Sequence, residues 1–267
     1  MYPQIFKNLS YIVTLLIQRF KISVPKAKTG RPRKLLLINA LVFALYQHRS
    51  TRLTKKSVYE DFKQTIRCSY NRFVVAINEV SQIAMKILFI LMRLSKKNSD
   101  LIKYTDSTDI PVCLRKNGKR HKTMRGIAKW GHSGKGFHLG LKMTITRDSG
   151  GRMLAIRFNS ANTDDRKIFK EINQDIYGII VADAGCVSKK LEKEMNIENK
   201  RWSLFKPLKS MKKLATDWQL NLYNKRFDIE FDFRNFKMFH GLVTSLPRSV
   251  NGYLANYIHS LLSFVLS

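Results

Sequence analysis

Two short apolar runs in this sequence each lead into an aspartate. Leu101–Tyr104 runs into Asp106 within Tyr104-Thr105-Asp106-Ser107-Thr108, and Ile179-Ile180-Val181-Ala182 runs into Asp183. Such runs predict short strands, so both carboxylates fall at strand tips. An unpaired charge is costly there. Hard divalent cations such as Mg²⁺ prefer oxygen ligands, and a bound metal accounts for both aspartates at once. Taken singly, each would more often cap a turn or a helix. Asp109 is a rival first carboxylate, although its place before Pro111 favours a turn role.

A third carboxylate has to come from a different element. Residues 211 to about 239 predict one long helix, on which Tyr223, Arg226, Glu230 and Lys237 are spaced by 3, 4 and 7. At about 100° per residue these four share an arc of roughly 60°, whereas Asp228 and Asp232 point away. The spacing therefore selects Glu230 as the partner of the two aspartates. Arg226 and Lys237 beside it are suited to DNA phosphates, Arg as a fork and Lys as a point charge. The alternative is an exposed helix face carrying i,i+3 and i,i+4 salt pairs.

The elements that must position these groups follow from periodicity and turn residues. Residues 1 to about 100 read as mostly helical, with apolar helices over Leu35–Tyr46 and Val74–Leu94. The polar run Lys96-Lys97-Asn98-Ser99-Asp100 marks a boundary. Beyond it the sequence predicts strands at Leu101–Tyr104, Phe137–Thr146 and Met153–Phe158, the last two joined by a hairpin at Asp148-Ser149-Gly150-Gly151. A helix follows over Asn162–Ile172, capped by Asn162 or Thr163. Then come a strand Gly178–Ala182, a short helix Val187–Met195, a strand Arg201–Phe205, the long helix and a final apolar helix Gly252–Leu266. The expected organisation is a helical, basic DNA-binding region over 1–98 and an α/β domain over 99–267.

Thr105-Asp106-Ser107, Val181-Ala182-Asp183-Ala184-Gly185, and Tyr-x2-Arg-x3-Glu-x6-Lys at Tyr223, Arg226, Glu230 and Lys237 resemble, in that order, the first, second and third carboxylate motifs of DDE-class insertion-sequence transposases. The chain most resembles the bacterial insertion-sequence group numbered 982, over about Leu101 to the C-terminus. That resemblance implies an RNase H-like mixed sheet flanked by helices, and two Mg²⁺ or Mn²⁺ ions. Asp106 would bridge both ions, while Asp183 and Glu230 would each complete one site. It further implies transposon ends and target DNA as partners, a homodimer or larger synaptic complex, and a bacterial cytoplasmic, nucleoid-associated location. One departure stands out: where family members usually show Asp-Lys-Gly-Tyr, this chain has Asp183-Ala184-Gly185-Cys186. A decayed copy that only binds DNA, or another RNase H-like nuclease, is the alternative reading.

Charge points the same way. Forty-nine Lys and Arg against 19 Asp and Glu leave a formal net charge of +30. Nucleic acid is the usual partner of such an excess, and an anionic membrane surface ranks far behind it. Lys26–Lys34, with Gly30, Arg31, Pro32 and Arg33, predicts an extended basic arm suited to a minor groove, or a solvated linker. Ile110–Arg147 holds ten Lys or Arg and no acid, interleaved with Trp130, Phe137 and histidines. Lys119, Arg120, Lys122, Arg125 and Lys129 are its candidate phosphate contacts, with aromatic rings for unpaired ends. Three scattered cysteines without a CxxC pair argue against a disulfide framework or a cysteine-based zinc site. No phosphate-cradling GxxxxGK[ST] loop, cleavable secretory leader or lipid-facing run of eighteen apolar residues is expected.

Overall fold

The computed structural model describes residues 3–25, 33–50, 52, 54–134, 136–183, 189–196, 201–205 and 216–267. In chain order the helices α1 (Gln4–Arg19), α2 (Leu37–Arg49), α3 (Lys55–Asp61), α4 (Tyr70–Glu79) and α5 (Ser81–Lys97) come first. Next are β1 (Ile102–Pro111), a 3-10 turn (Arg115–Arg120), β2 (Lys129–Ser133), β3 (Gly136–Asp148), β4 (Met153–Ser160), α6 (Asp165–Ile172) and β5 (Gly178–Ala182). The chain ends with α7 (Lys189–Asn196), β6 (Arg201–Phe205), α8 (Asp217–Lys225), α9 (Asp228–Met238) and α10 (Val250–Val265). Packing divides it into two compact units, Met1–Leu91 with Asn235–Ser267, and Met92–Arg234.

The first unit is helical. α2 is apolar on nearly all sides and buries every residue from Ala40 to His48, as expected of a central helix. α1, α4 and α10 pack around it. α1 offers one stripe, Phe6, Leu9, Val13 and Ile17, at the helical i, i+3, i+4 spacing. Phe6, Phe43 and Phe62 meet with ring centroids 4.9–5.4 Å apart. This aromatic cluster ties α1, α2 and the end of α3 together. α4 and α5 form a 28-residue helical run, Tyr70–Lys97, long and apolar enough to cross a membrane by length and composition. The run is broken by polar residues such as Asn78, Glu79, Gln82, Lys86 and Arg93. The polar residues that interrupt Val74–Leu94 are few, while Ile77, Val80, Ile83, Ala84, Ile87 and Leu88 are buried core.

The second unit is built on a six-stranded sheet with order β2-β3-β1-β5-β6, in which β4 also pairs with β3. β1, β3 and β4 are antiparallel neighbours, and β5 and β6 continue parallel to β1. This mixed sheet flanked by helices is the RNase H-like architecture that the sequence led us to expect. β2 shares an edge of β3 with β4, through separate stretches of the strand. No sequence signal had marked β2, because Lys129–Ser133 is short and polar. Leu154, Phe169, Ile172, Ile176, Ile180, Leu191 and Met195 form the core under α6 and α7.

Several elements differ from their sequence reading. β1 does not stop at Tyr104. It pairs with β3 as far as Pro111, so Asp106 lies within the strand. Its β-branched residues fit a pleated surface, and the buried Thr105 and Thr146 hydroxyls lie 2.9 Å apart across the pair. The α6 cap is Asp164, whose carboxylate accepts from the backbone N–H of Arg166 at 2.8 Å, in place of Asn162 or Thr163. The long helix from about 211 is, over its described part, two helices. Around Arg226 and Phe227 the bonding tightens, with Phe227 N–H reaching Asn224 O at 3.1 Å and Glu230 N–H reaching Phe227 O at 3.0 Å. These i→i−3 bonds break the α-helical ladder and shift everything beyond them on the helical wheel.

Candidate active site

Strand register brings the two aspartates together. β1 and β5 are parallel, with Tyr104 paired to Val181. Asp106 and Asp183 each stand two residues beyond that pair, so they leave adjacent strands at the same level and on the same face. Asp109, three residues beyond Asp106 on β1, points to the opposite face, where its carboxylate lies 3.6 Å from His138 Nε2. Strand parity separates the two aspartates: Asp106 shares a face with Asp183, and Asp109 does not.

The third carboxylate arrives on α9, and an arginine joins all three. Arg226 donates through Nη1 to Asp106 Oδ2. Its Nη2 lies 3.5 Å from Glu230 Oε1 and 4.0 Å from Asp183 Oδ1. Among the described residues no group of three acidic, His or Cys side chains is already arranged as a metal cluster; these three acids meet on a guanidinium. Arg226 is only 4% exposed. The Asp106 side chain is 18% exposed, against 49% for Asp183 and 51% for Glu230. The centre thus has one buried acid and two that face solvent.

The electrostatics follow from that burial. Loss of hydration pushes the Asp106 carboxyl up to about 6. Arg226 and the Ser107 N–H, which donates to Oδ1 at 2.8 Å, pull the other way, while Asp183 and Glu230 add to the rise. Three carboxylates against one guanidinium leave an excess of negative charge. Such a centre attracts further cations. The neighbouring Asp232 on α9 is engaged elsewhere: its carboxylate accepts from Arg147 at 2.7 Å. For Asp232 this agrees with the wheel, which turned it away from Glu230.

The remaining candidates divide into groups. Tyr223 is buried on α8. Lys237 is half-buried on α9, past the end of the second compact unit. Arg226, expected to hold DNA phosphates, has its donors directed at carboxylates. Arg33 makes a two-pronged ion pair with Glu79, at 2.6 and 2.8 Å. Arg31 lies outside the described residues, as do Ala184 and Cys186 of the second motif. Lys119, Arg120, Lys122, Arg125 and Lys129 are all exposed, on the 3-10 turn, the following loop and β2. Sequence reasoning missed Arg115 and Lys116 as their neighbours. Both lie in the same acid-free stretch, which was the available signal.

Comparison with known proteins adds independent findings. The transposase DDE domain family matches residues 96–249, more than half of the chain. None of the curated proteins matches the sequence. Among solved structures, the piggyBac transposase synaptic complex with hairpin DNA is similar at a TM-score of 0.52 and 11% identity, covering 98% of this chain and 73% of that one. That likeness is one of fold. The Mos1 transposase paired-end complex matches at a TM-score of 0.27 and 14% identity, over 92% of this chain and 82% of that one. So loose a superposition says nothing further about this molecule.

Proposed function

The chain belongs to the transposase DDE domain family and is a DNA transposase; on that premise we propose that Asp106, Asp183 and Glu230 are the carboxylates of its cutting and joining chemistry. The observation that carries this reading is their convergence, from β1, the tip of β5 and α9, on the single guanidinium of Arg226. Residues separated this widely in sequence come together only in the folded chain. The Tyr223, Arg226, Glu230 and Lys237 spacing supports a finer placement in the insertion-sequence group numbered 982. The same reading assigns DNA binding to 1–98 and catalysis to 99–267, although Asn235–Ser267 packs with Met1–Leu91.

The donor set fits hard divalent cations. All three groups offer carboxylate oxygens, and their charge exceeds that of Arg226 by two. The chemistry that a pair of Mg²⁺ or Mn²⁺ ions supplies at such carboxylates is polarisation of a water or 3′-hydroxyl and neutralisation of the leaving oxygen. The chain's own residues prepare the site for it. The β1 ladder and the Ser107 N–H fix Asp106 in place. Arg226 holds Asp106 and Glu230 toward a common point and offsets part of their repulsion. Asp183 and Glu230, half-exposed, face the side from which DNA arrives. The exposed cations from Lys119 to Lys129, further along the sheet, hold phosphates of the same DNA away from the bond being cut.

Transposon ends and target DNA are the partners in this reading. Two ends joined in concert call for a homodimer or a larger synaptic complex, working at the nucleoid in the bacterial cytoplasm. The test is end cleavage and strand transfer by the full chain on DNA carrying the inverted repeats that flank its reading frame, with Mg²⁺ or Mn²⁺. Activity is expected to fall to background in Asp106→Ala, Asp183→Ala and Glu230→Ala while each variant keeps its fold by circular dichroism. Cleavage near the wild-type rate in any of the three would remove that residue from the site.

A further inference from the structure

Away from the carboxylates, Leu114, Arg115, Lys116, Lys119, Trp130 and Phe137 line an open pocket of about 810 Å³. Its aromatic wall is set by register. β2 and β3 are antiparallel, with Trp130 opposite Leu139 and His132 opposite Phe137, so these four side chains share one face. Gly118 lets the 3-10 turn close on that wall: a Cβ there would stand 2.5 Å from Trp130 Cη2. The cations of the turn are thereby carried to the side of the rings. The Arg115 guanidinium lies 5.9 Å from the Phe137 ring centroid, and the His132 ring lies 4.6 Å away. Even so, Phe137 remains 54% exposed and Trp130 42%. Large apolar side chains left open together mark a surface that binds something.

Building on the transposase reading, we propose that this pocket takes an unpaired nucleobase at a DNA end, stacked on Phe137 and Trp130, with its phosphates on Arg115, Lys116 and Lys119. Charge complementarity selects the occupant. Every ionisable side chain in the lining is cationic, and the surrounding stretch Ile110–Arg147 carries no acid. Flat rings flanked by cations are the means by which proteins hold unpaired nucleotides without reading their sequence. The position is also informative. On β3, Phe137 and Ile145 are eight residues apart and on the same face, and Ile145 is the residue opposite Asp106. At about 3.3 Å per residue the pocket lies some 26 Å along the strand from the carboxylates. It therefore takes a base several nucleotides away from the bond being cut.

The experiment compares two duplexes in metal-free buffer at one salt concentration. One is blunt, and the other has a short single-stranded extension containing 2-aminopurine. The wild-type full chain is expected to bind the extended duplex about tenfold more tightly and to quench the 2-aminopurine. Phe137→Ala and Phe137→Leu are expected to lose both effects, whereas Phe137→Trp retains them. If Phe137→Leu keeps the preference, the pocket is an apolar docking surface and the proposal fails. Equal binding of the two duplexes by the wild type overturns the pocket and leaves the DNA reading intact. Binding to neither duplex overturns both.

Discussion

Arg226 donates to Asp106 across 120 residues of chain, from the junction of two helices to the middle of a strand. A guanidinium this buried, among three acids, acts as an internal counter-cation. Truncating one partner of a buried ion pair leaves the others uncompensated and typically costs about 3 kcal/mol or more. Arg226→Gln is therefore expected to lower stability by about 3 kcal/mol, read as a fall in the urea midpoint. Millimolar Mg²⁺ is expected to raise the midpoint of the variant more than that of the wild type. A variant as stable as the wild type, and as insensitive to Mg²⁺, would mean that Arg226 is not holding the acids together.

Strand parity makes a sharper prediction about chemistry. Asp106 and Asp109 are close in sequence but on opposite faces of β1. Asp106→Asn is expected to abolish DNA cleavage, whereas Asp109→Asn is expected to retain it within about threefold, a change worth less than 1 kcal/mol. The reverse pattern in the same assay would place the reactive face of β1 on the wrong side.

On that second face the sheet meets α6 through buried polar groups. The Asn173 carbonyl oxygen accepts from the Thr146 hydroxyl at 2.9 Å and the Thr105 hydroxyl at 3.2 Å, and its amide donates to Phe169 O at 3.0 Å. Asn173 is fully buried. Removing its amide strands the partners away from water, at a cost of about 1–3 kcal/mol for each unsatisfied group. Asn173→Ala is expected to lose about 3 kcal/mol by chemical denaturation. A loss below about 1 kcal/mol would show that the two threonines satisfy each other.

The helical unit predicts acid sensitivity. His48 is buried, and its Nδ1–H donates to His240 O at 2.7 Å, which fixes the neutral tautomer. Burial holds its pKa down to about 4, opposed by the hydrogen bond to His240 and aided by the charge of Lys55, and burial lowers the His259 value as well. His240 itself is lowered by burial and by Arg49. In the unfolded chain a histidine titrates near 6.5. Between pH 6.5 and 4 the unfolded state therefore binds the proton that the folded state refuses. The contribution of His48 is complete above pH 6.5 and is lost as pH falls, by about 3 kcal/mol in full. The urea midpoint is expected to drop from pH 7.5 to pH 4.5, and to drop less in His48→Gln, which keeps a donor for His240. Equal slopes in the two proteins would exclude His48 as the source.

Much of this molecule was legible in the chain itself. Apolar runs placed β5 and β6, the Asp148–Gly151 turn placed the β3–β4 hairpin, and the absence of acids over Ile110–Arg147 marked a cationic surface. These are local properties, written in neighbouring residues. Glu230 was selected over Asp228 and Asp232 by helical spacing, and across the break at Arg226 it still lies within 3.5 Å of that guanidinium. What the sequence could not contain was partnership. The extension of β1 past Asp106 depends on an edge of β3, the level of Asp106 with Asp183 depends on parallel register, and the inward turn of Arg226 depends on three acids being there to receive it. Register and ion pairing are set by the far side of each contact, so only the folded chain could decide them.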